Sequence, residues 1–204
     1  MTSSASKADR FEELMKSIKN CTFCDRMYDR KRVFSKSNGN INSKVIFIAE
    51  APGRLGAECA GVPLCGDITG KNFEKLLDSI GWTREDVFVT NSILCNPQDD
   101  EGNNAPPKAG EIENCSRYLQ MTIELINPMV VVTLGIKALD ALKYICPHNY
   151  VLREHVANSL AWNHRALFPL YHMSPKVLNM HRSFDQQKDD FKQLAQIINV
   201  VSLQ

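Results

Sequence analysis

One short apolar run limits the possible folds of this chain more than any other stretch of its sequence. Residues 45–48 (VIFI) are β-branched or aromatic, and no polar residue interrupts them. Such a run predicts a strand that is buried on both faces of a parallel sheet. Pro52 and Gly53 then turn the main chain and leave backbone amides open to a ligand. Because open α/β sheets bind ligands beyond the carboxyl ends of their strands, Glu50 occupies a candidate functional position.

Three further apolar runs predict strands, and segments with apolar residues every three or four positions predict helices between them. The predicted strands cover residues 45–48, 87–90, 129–134 and 166–171, and the main predicted helices cover residues 9–20, 72–80, 110–126, 135–143 and 184–200. This alternation predicts an α/β fold, a three-layer αβα sandwich with a mainly parallel four-stranded central sheet. We expect residues 1–8 to form a disordered tail and residues 9–204 to form a single domain, with Asp9 as the N-cap of the first helix.

Composition is typical of a soluble globular protein, with 44% hydrophobic and 23% charged residues. No apolar run approaches the roughly 20 residues that span a bilayer, which argues against a membrane partner. The polar amino terminus lacks the apolar core of a signal peptide. We therefore expect a cytoplasmic, monomeric protein, associated with the nucleoid if its source is bacterial or archaeal.

Basic residues are unevenly distributed, although the formal net charge is only +1. Between residues 135 and 184 there are six lysines and arginines, two acidic residues and all five histidines. A local positive field of this kind could attract a polyanion. The alternative is a solvated basic surface that has no partner.

Seven cysteines, an odd number, occur in a chain without a recognisable secretion signal, which argues against a disulfide framework. Cys21 and Cys24 form a CxxC pair, and a short turn lets both sulfurs of such a pair reach one metal ion or cluster. Cys95 and Cys115 flank a proline-rich loop. This pattern leaves three possibilities open: no metal, zinc and an iron–sulfur cluster.

Polar side chains stand at the carboxyl ends of three predicted strands. Glu50 follows the first strand, Asn91 the second and His172 the fourth. Taken singly, each residue is also compatible with an ordinary turn or a local hydrogen bond. Because parallel strands end at one edge of the sheet, the three side chains together predict one functional pocket.

Four motifs along the chain resemble, in order, those of the uracil-DNA glycosylase superfamily. They are EAPG (50–53), TNSILC (90–95), NPMVVVTLG (127–135) and YHMSP (171–175). The resemblance covers roughly residues 10–200 and points to the iron–sulfur branch, often called family 4. It implies a monofunctional DNA glycosylase that hydrolyses the N-glycosidic bond of uracil in DNA during base excision repair. It also implies a structural 4Fe-4S cluster, whose ligands would be Cys21, Cys24, Cys95 and Cys115.

The resemblance further implies roles for the pocket residues, because a target base must be flipped out of the DNA stack to be reached. Asn91 would pair with N3–H and O4 of uracil, and His172 would donate to O2. Glu50 would orient a water molecule and offset positive charge on the sugar. Backbone amides near Ala51 and Gly53 would complete the cradle. The DNA phosphates would be bound by Ser174, Lys176 and Arg182.

Two departures from the family pattern favour alternative functions. Leu64 stands where the family has a phenylalanine that stacks on uracil, an interaction worth about 1–3 kcal/mol per base. Its loss favours a glycosylase with an altered base preference, for example for hypoxanthine. Met173 replaces a proline, and an apolar residue there could enter the space left by a flipped base. Together with the near-neutral charge, these departures also allow a non-catalytic DNA-binding or damage-sensing module of the same fold.

Overall fold

A computed structural model describes residues 5–201, with only the backbone of residues 199–201. Its central sheet has five strands, in the spatial order β2-β1-β3-β5-β4. Parallel pairs join β1 to β2, β1 to β3 and β3 to β5, whereas β4 is antiparallel to β5. The strands are β1 (Val45–Ala49), β2 (Phe88–Asn91), β3 (Val130–Leu134), β4 (Leu160–Trp162) and β5 (Arg165–Leu170). The predicted α/β fold is confirmed.

The prediction of four strands is wrong by one, because it missed β4. This strand has only three residues (LAW), an apolar run too short to predict a strand, and Ala161 in its middle is exposed. It pairs with β5 through a two-residue turn at Asn163 and His164, which both have positive φ angles (44° and 61°). Such φ angles are typical of the tight hairpin turns that join twisted strands.

Seven α-helices connect and cover the strands in the described part of the chain. They are α1 (Lys7–Lys19), α2 (Ile68–Asp78), α3 (Ala109–Ile126), α4 (Ile136–Ala141), α5 (Leu152–His155), α6 (Pro175–Met180) and α7 (Phe184–Val201). Single-turn 3₁₀ segments lie at Asp25–Met27, Lys36–Asn38 and Leu142–Tyr144, and a π-helical turn lies at Arg54–Glu58. None of the helices in residues 5–201 is long and apolar enough to cross a bilayer.

Helix α1 begins earlier than its sequence pattern indicates. Ser6 is the N-cap: its hydroxyl accepts from the Asp9 N–H (3.1 Å), and the Asp9 carboxylate accepts from the Ser6 N–H (3.0 Å). The prediction of Asp9 as the N-cap is therefore wrong, since Asp9 is the third helical residue of a capping box. Lys7 and Ala8 belong to the helix, while residues 1–4 of the predicted tail lie outside the described residues.

Two apolar cores cover the two faces of the sheet. Alternate residues of β1 point to opposite sides, so Ile46 packs into the core under α1 and α3 while Phe47 packs into the core under α2 and α7. The ring centre of Phe47 lies 5.2 Å from the ring centre of Phe73 and 5.8 Å from that of Phe191. With both faces buried, the carboxyl edge is where the parallel strands present polar groups.

Helix α2 approaches the preceding loop so closely that one of its positions requires glycine. A Cβ at Gly70 would lie 2.5 Å from the Leu64 carbonyl oxygen and 2.9 Å from the Cys65 Cα. The contact with Leu64 fixes this loop against the helix. By contrast, a Cβ at Gly110, near the start of α3, would meet nothing within 4 Å.

These two glycines make a matched pair for a stability measurement. We expect Gly70→Ala to lower the free energy of unfolding by about 1–3 kcal/mol, because the backbone must shift to admit the methyl group. Gly110→Ala should raise it by about 0.5–1 kcal/mol, because alanine loses less entropy in a helix. Urea denaturation of both variants measures the difference. Equal effects of the two substitutions would contradict the close packing at Gly70.

Candidate active site

The carboxyl edge of the sheet contains a cavity of about 390 Å³. Glu50, Asn91 and His172 all line it, although 122 positions separate the first from the last. Asn91 is the last residue of β2 and pairs in register with Ala49, while His172 lies just beyond the end of β5. The parallel arrangement of β1, β2 and β5 thus brings together the three residues that the sequence pattern picked out.

Asn91 carries an unpaired polar group into this cavity. Its side chain is 1% exposed, and its Nδ2 has no hydrogen-bond partner among the described residues. A buried donor without a partner costs about 1–3 kcal/mol. A ligand with an acceptor oxygen would remove this cost, so the amide is suited to recognising such a ligand.

His172 is held in one tautomer by its own loop. Its Nδ1 accepts a hydrogen bond from the Ser174 N–H at 3.2 Å, so the proton of the neutral ring is assigned to Nε2. Burial lowers the pKa of His172, and the nearby Asp67 carboxylate opposes that effect. The side chain therefore offers a neutral Nε2–H donor to a ligand in the cavity.

Glu50 is positioned by the segment that follows β2. Its carbonyl oxygen accepts from the Ser92 hydroxyl (2.6 Å) and from the Ile93 N–H (3.1 Å). Burial raises the pKa of the Glu50 carboxyl, and the positive charge of Lys137 partly lowers it. A carboxyl group with a raised pKa in a cleft is a candidate for acid–base or electrostatic catalysis.

The loop after Glu50 forms one side of the cavity, as the sequence predicts. Ala51, Gly53 and Leu64 line the cavity, and Leu64 is 8% exposed. The Gly53 carbonyl oxygen accepts from the N–H groups of Gly56 (3.3 Å) and Glu58 (3.0 Å), which closes the π-helical turn. Leu64 has a φ of 48°.

Arg84 fixes Leu64 in this left-handed conformation, which is uncommon for a branched residue. The Arg84 guanidinium donates to the carbonyl oxygens of Pro63 (3.0 Å) and Leu64. The backbone of Leu64 is therefore held from two sides, by Arg84 and by α2. Its side chain faces the cavity at the position where the family resemblance implies a stacking aromatic ring.

Sequence reasoning missed several residues that line the cavity, among them Asp67, Asn96 and Asn104. Asp67 is the N-cap of α2, where its carboxylate accepts from the Gly70 N–H (2.9 Å), and this capping pattern could have been recognised. Asn96 and Asn104 belong to the proline-rich loop, whose sequence carries no periodic signal.

Met173 is fully buried, so the interpretation of Met173 as a residue that enters the DNA is wrong.

A second cavity of about 730 Å³ adjoins the first and shares Glu50 and His172 with it. Lys137 and Arg153 lie along this groove, together with His181. They come from the part of the chain in which basic residues are concentrated. The local excess of basic residues in the sequence is thus partly gathered beside the candidate active site.

The residues predicted to bind phosphates have different surroundings. Ser174 lines the groove, and Lys176 is exposed on α6. Arg182 donates from Nε to the carboxylate of Asp190 at 2.6 Å, and Asp190 is 1% exposed. Arg182 therefore has a buried ionic partner, and phosphate binding by it stays a prediction.

The four predicted metal ligands come from three separate segments. Cys95 and Cys115 are buried in a small apolar cluster with Met27 and Ile93, and Cys24 packs against this cluster. Burial raises the pKa of Cys95 to about 11 and that of Cys115 to about 12. The charges of Cys21 and Cys24 act on both thiols in the same direction, so the four sulfurs lie within electrostatic reach of one another.

This donor set suits a soft metal centre, because thiolates select zinc and iron–sulfur clusters. In residues 5–201, no three histidine, cysteine or acidic side chains are arranged to hold a single metal ion. All seven cysteines are free thiols, and Cys59 is exposed with its sulfur 3.1 Å from the Arg54 carbonyl oxygen. The four predicted ligands thus have the chemistry of a soft metal centre, although this structure does not arrange three of them around a single ion.

An open parallel sheet that ends in a polar cavity, beside a groove with basic residues, has the architecture of a ligand-binding α/β enzyme. The profile of the uracil DNA glycosylase superfamily matches residues 36–197. The chain therefore belongs to the uracil-DNA glycosylase superfamily, and the resemblance in the sequence is confirmed.

Named relatives agree with this assignment. The chain is 28% identical over 194 residues to the type-4 uracil-DNA glycosylase of Archaeoglobus fulgidus, a match that covers 93% of this chain and 94% of that protein. It is 31% identical over 177 residues to the type-4 enzyme of Thermotoga maritima, covering 84% and 86%. To the type-4 enzyme of Saccharolobus solfataricus it is 36% identical over 128 residues, covering 62% and 56%.

Proposed function

We propose that this protein is a monofunctional DNA glycosylase that hydrolyses the N-glycosidic bond of uracil in DNA, as the first step of base excision repair. The observation that carries the proposal is the buried, unpaired Nδ2 of Asn91 in a cavity that Glu50 and His172 also line. The type-4 relatives support the same reaction by their names.

Asn91 would select the base. Its Nδ2 would donate to O4 of uracil, and its Oδ1 would accept from N3–H. Cytosine presents the reverse pattern, an amino group at C4 and an unprotonated N3, so it would leave both amide groups facing like partners. A mispaired buried polar group costs about 1–3 kcal/mol per group. The Asn91 amide alone would therefore favour uracil strongly over cytosine.

His172 and Glu50 would act when the bond between C1′ and N1 breaks. The bonding electron pair moves onto uracil, and the negative charge gathers partly on O2, where the His172 Nε2–H would donate a hydrogen bond. The sugar gains positive charge, which the Glu50 carboxylate would offset. A water molecule oriented by Glu50 would then bond to C1′ and lose a proton to the carboxylate, leaving an abasic site.

We take the reaction to be monofunctional, because the Glu50 carboxylate, which can orient water, lies inside the base cavity, whereas Lys137 lies in the adjoining groove. A lyase step would need an amine that attacks C1′. DNA would approach along the groove, with Ser174 and Lys176 at the phosphates and Arg182 behind them. All these residues belong to one chain, so we propose that a monomer acts on DNA in the cytoplasm or nucleoid.

An oligonucleotide assay tests the reaction. We expect the protein to release uracil from single- or double-stranded DNA and to leave sites that break only after alkali treatment. Glu50→Gln and His172→Ala should each slow single-turnover release by about 10²–10³-fold, because each removes a group that stabilises charge in the transition state. The matched controls are Glu124→Gln and His164→Asn, both at exposed positions away from the cavity.

Two outcomes would overturn this function. One is the absence of alkali-labile sites at a large excess of protein, and the other is strand breakage without alkali, which would indicate a lyase. Including hypoxanthine in the substrate panel tests the alternative raised by Leu64, which predicts that uracil is not the preferred base. DNA binding by a wild-type protein that releases no base, unchanged in the Glu50 and His172 variants, would favour a non-catalytic module.

The pH dependence of the reaction tests the role of Lys137. Glu50 must be ionised to act, so kcat/KM should rise with pH through the Glu50 pKa. Lys137→Met removes the positive charge that lowers this pKa, so the acidic limb should move to higher pH. Lys143→Met is the control, since Lys143 pairs with Asp140 instead (2.6 Å). If the acidic limb of the pH profile stays at its wild-type position in Lys137→Met, the electrostatic coupling between Lys137 and Glu50 is contradicted.

We further propose that Cys21, Cys24, Cys95 and Cys115 hold a 4Fe-4S cluster. When bound, the cluster would cross-link the end of α1, the segment after β2 and the start of α3. A bound cation centre would also keep the buried thiols ionised, which their raised pKa values otherwise oppose. The contribution of the chain is a partly buried, apolar site for four sulfur ligands.

Absorbance and metal analysis of the purified protein test the cluster. We expect a brown protein with broad absorbance near about 400 nm and four irons per chain. Cys115→Ser should abolish the absorbance, whereas Cys146→Ser should retain it, because Cys146 is not among the described residues that pack around Cys95 and Cys115. A colourless protein that contains zinc would overturn the proposal in favour of a zinc site.

A further inference from the structure

The loop between β2 and α3 forms a wall of the base cavity that the proposed reaction does not yet use. We call residues 96–106 of this loop the flap. Five of its residues line the cavity: Asn96, Pro97, Asn104, Ala105 and Pro106. The flap therefore contributes a third of the fifteen residues around the base.

The flap has a defined, hydrogen-bonded shape. Gln98 and Asn104 form a β-bridge, and the Ala105 N–H donates to the Pro97 carbonyl oxygen (2.9 Å). At the tip, the Asp99 carboxylate accepts from the N–H of Asn103 at 2.8 Å. The flap is thus a small hairpin-like element rather than an open loop.

Two asparagines join the flap to the loop that follows β1. Asn96 is 1% exposed, and its Nδ2 donates to the Pro52 carbonyl oxygen (2.6 Å) and to Asn104 Oδ1 (2.8 Å). Asn104 Oδ1 also accepts from the Arg54 N–H at 2.9 Å. Asn104 is exposed, and its Oδ1 therefore connects the flap with the loop that follows β1 and lines the cavity.

The base of the flap is held by Arg26, two residues beyond Cys24. Its guanidinium donates to the carbonyl oxygens of Gln98 (3.3 Å) and Pro106 (3.2 Å), which lie at the two ends of the flap. The same group forms a two-point ion pair with Glu111, at 2.9 Å and 2.6 Å. A planar guanidinium can hold several acceptors at once in a fixed geometry.

The strand order separates Asn91 from His172 across the sheet, and the flap starts on the Asn91 side. Asn91 lies on the edge strand β2, His172 follows β5 on the other side of β1, and the flap begins five residues after Asn91. A uracil with O2 at His172 and O4 at Asn91 presents C5 as the next ring atom beyond O4. The side chains of Pro97, Ala105 and Pro106 offer an apolar surface that suits a C–H edge.

We propose that the flap is the specificity wall for the C5 edge of the base, and that Arg26 and Asn104 are the positioning residues that hold it there. The wall admits the hydrogen of uracil and rejects larger substituents at C5. This inference rests on the proposed function, because it assigns the selectivity of the same cavity.

Substrate ratios in matched DNA test the wall. Duplexes that differ only in uracil or 5-hydroxymethyluracil at one position are compared in single-turnover reactions. Asn104→Ala should raise the ratio of 5-hydroxymethyluracil to uracil cleavage by roughly 10-fold or more, since small steric differences in a pocket are worth 10–200-fold. Asn104→Asp should keep the wild-type ratio, because it retains the acceptor oxygen, and its charge affects both substrates equally.

Arginine variants test the second contact. Arg26→Met should raise the same ratio, whereas Arg117→Met should leave it unchanged. Arg117 is a matched control, because its guanidinium stacks 3.5 Å from the ring centre of Phe23, within the CxxC segment, without contacting the flap. Absorbance near about 400 nm, recorded for every variant, separates loss of the cluster from release of the flap.

Hydrogen exchange gives a readout that does not depend on activity. The amides of Gly102 and Ala105 should exchange faster in Asn104→Ala and Arg26→Met and at the wild-type rate in Asn104→Asp. Faster exchange with an unchanged substrate ratio would overturn the specificity wall, and unchanged exchange would overturn the positioning roles. If the wild-type protein releases no uracil, the proposed function fails, while the exchange data still decide whether Arg26 and Asn104 hold the flap.

Discussion

The parallel pairing of β1 with β2 on one side and β3 on the other is the constraint on which the rest of this structure depends. All five residues of β1 are buried, since helices cover both faces of the sheet. Parallel neighbours end at the same edge, so each strand presents its next polar residue to the same space. This geometry gathers Glu50 and Asn91 into one cavity and brings His172 to them from the end of β5.

The cavity keeps polar groups in states that cost free energy. Asn91 has an unpaired donor, and burial shifts the pKa values of Glu50 and His172 toward their neutral forms. Each arrangement is unfavourable without a ligand, and the two apolar cores supply the stability that maintains it. The same features prepare the site for a base that has both a donor and acceptor oxygens on its edges.

A single connection, from β2 to α3, links the base cavity to the cysteine site. It begins at Asn91, contains Cys95, forms the flap and ends at the helix that carries Cys115. Arg26 adds a cross-connection from the CxxC segment to both ends of the flap. Two of the proposed cluster ligands and the proposed specificity wall therefore lie on the same short piece of chain.

Local patterns in the sequence determined the four longer strands, the main helices and the positions of Glu50, Asn91 and His172. These features follow from neighbouring residues alone, since apolar runs and turn-forming residues act over a few positions. The order of the motifs also indicated the superfamily correctly. The sequence pattern missed β4, because its apolar run is only three residues long. It also missed the Ser6 cap, because a cap is a polar signal that the apolar periodicity of α1 does not locate.

Only the tertiary structure decided how distant segments share partners. The bond between Arg26 and Glu111 spans 85 positions and that between Arg54 and Asn104 spans 50, so no local pattern encodes them. Likewise, Met173 is buried against α2 and α7 rather than free to meet DNA. The sequence by itself thus determined which residues reach the carboxyl edge, while packing decided which of them face the cavity and what holds its walls.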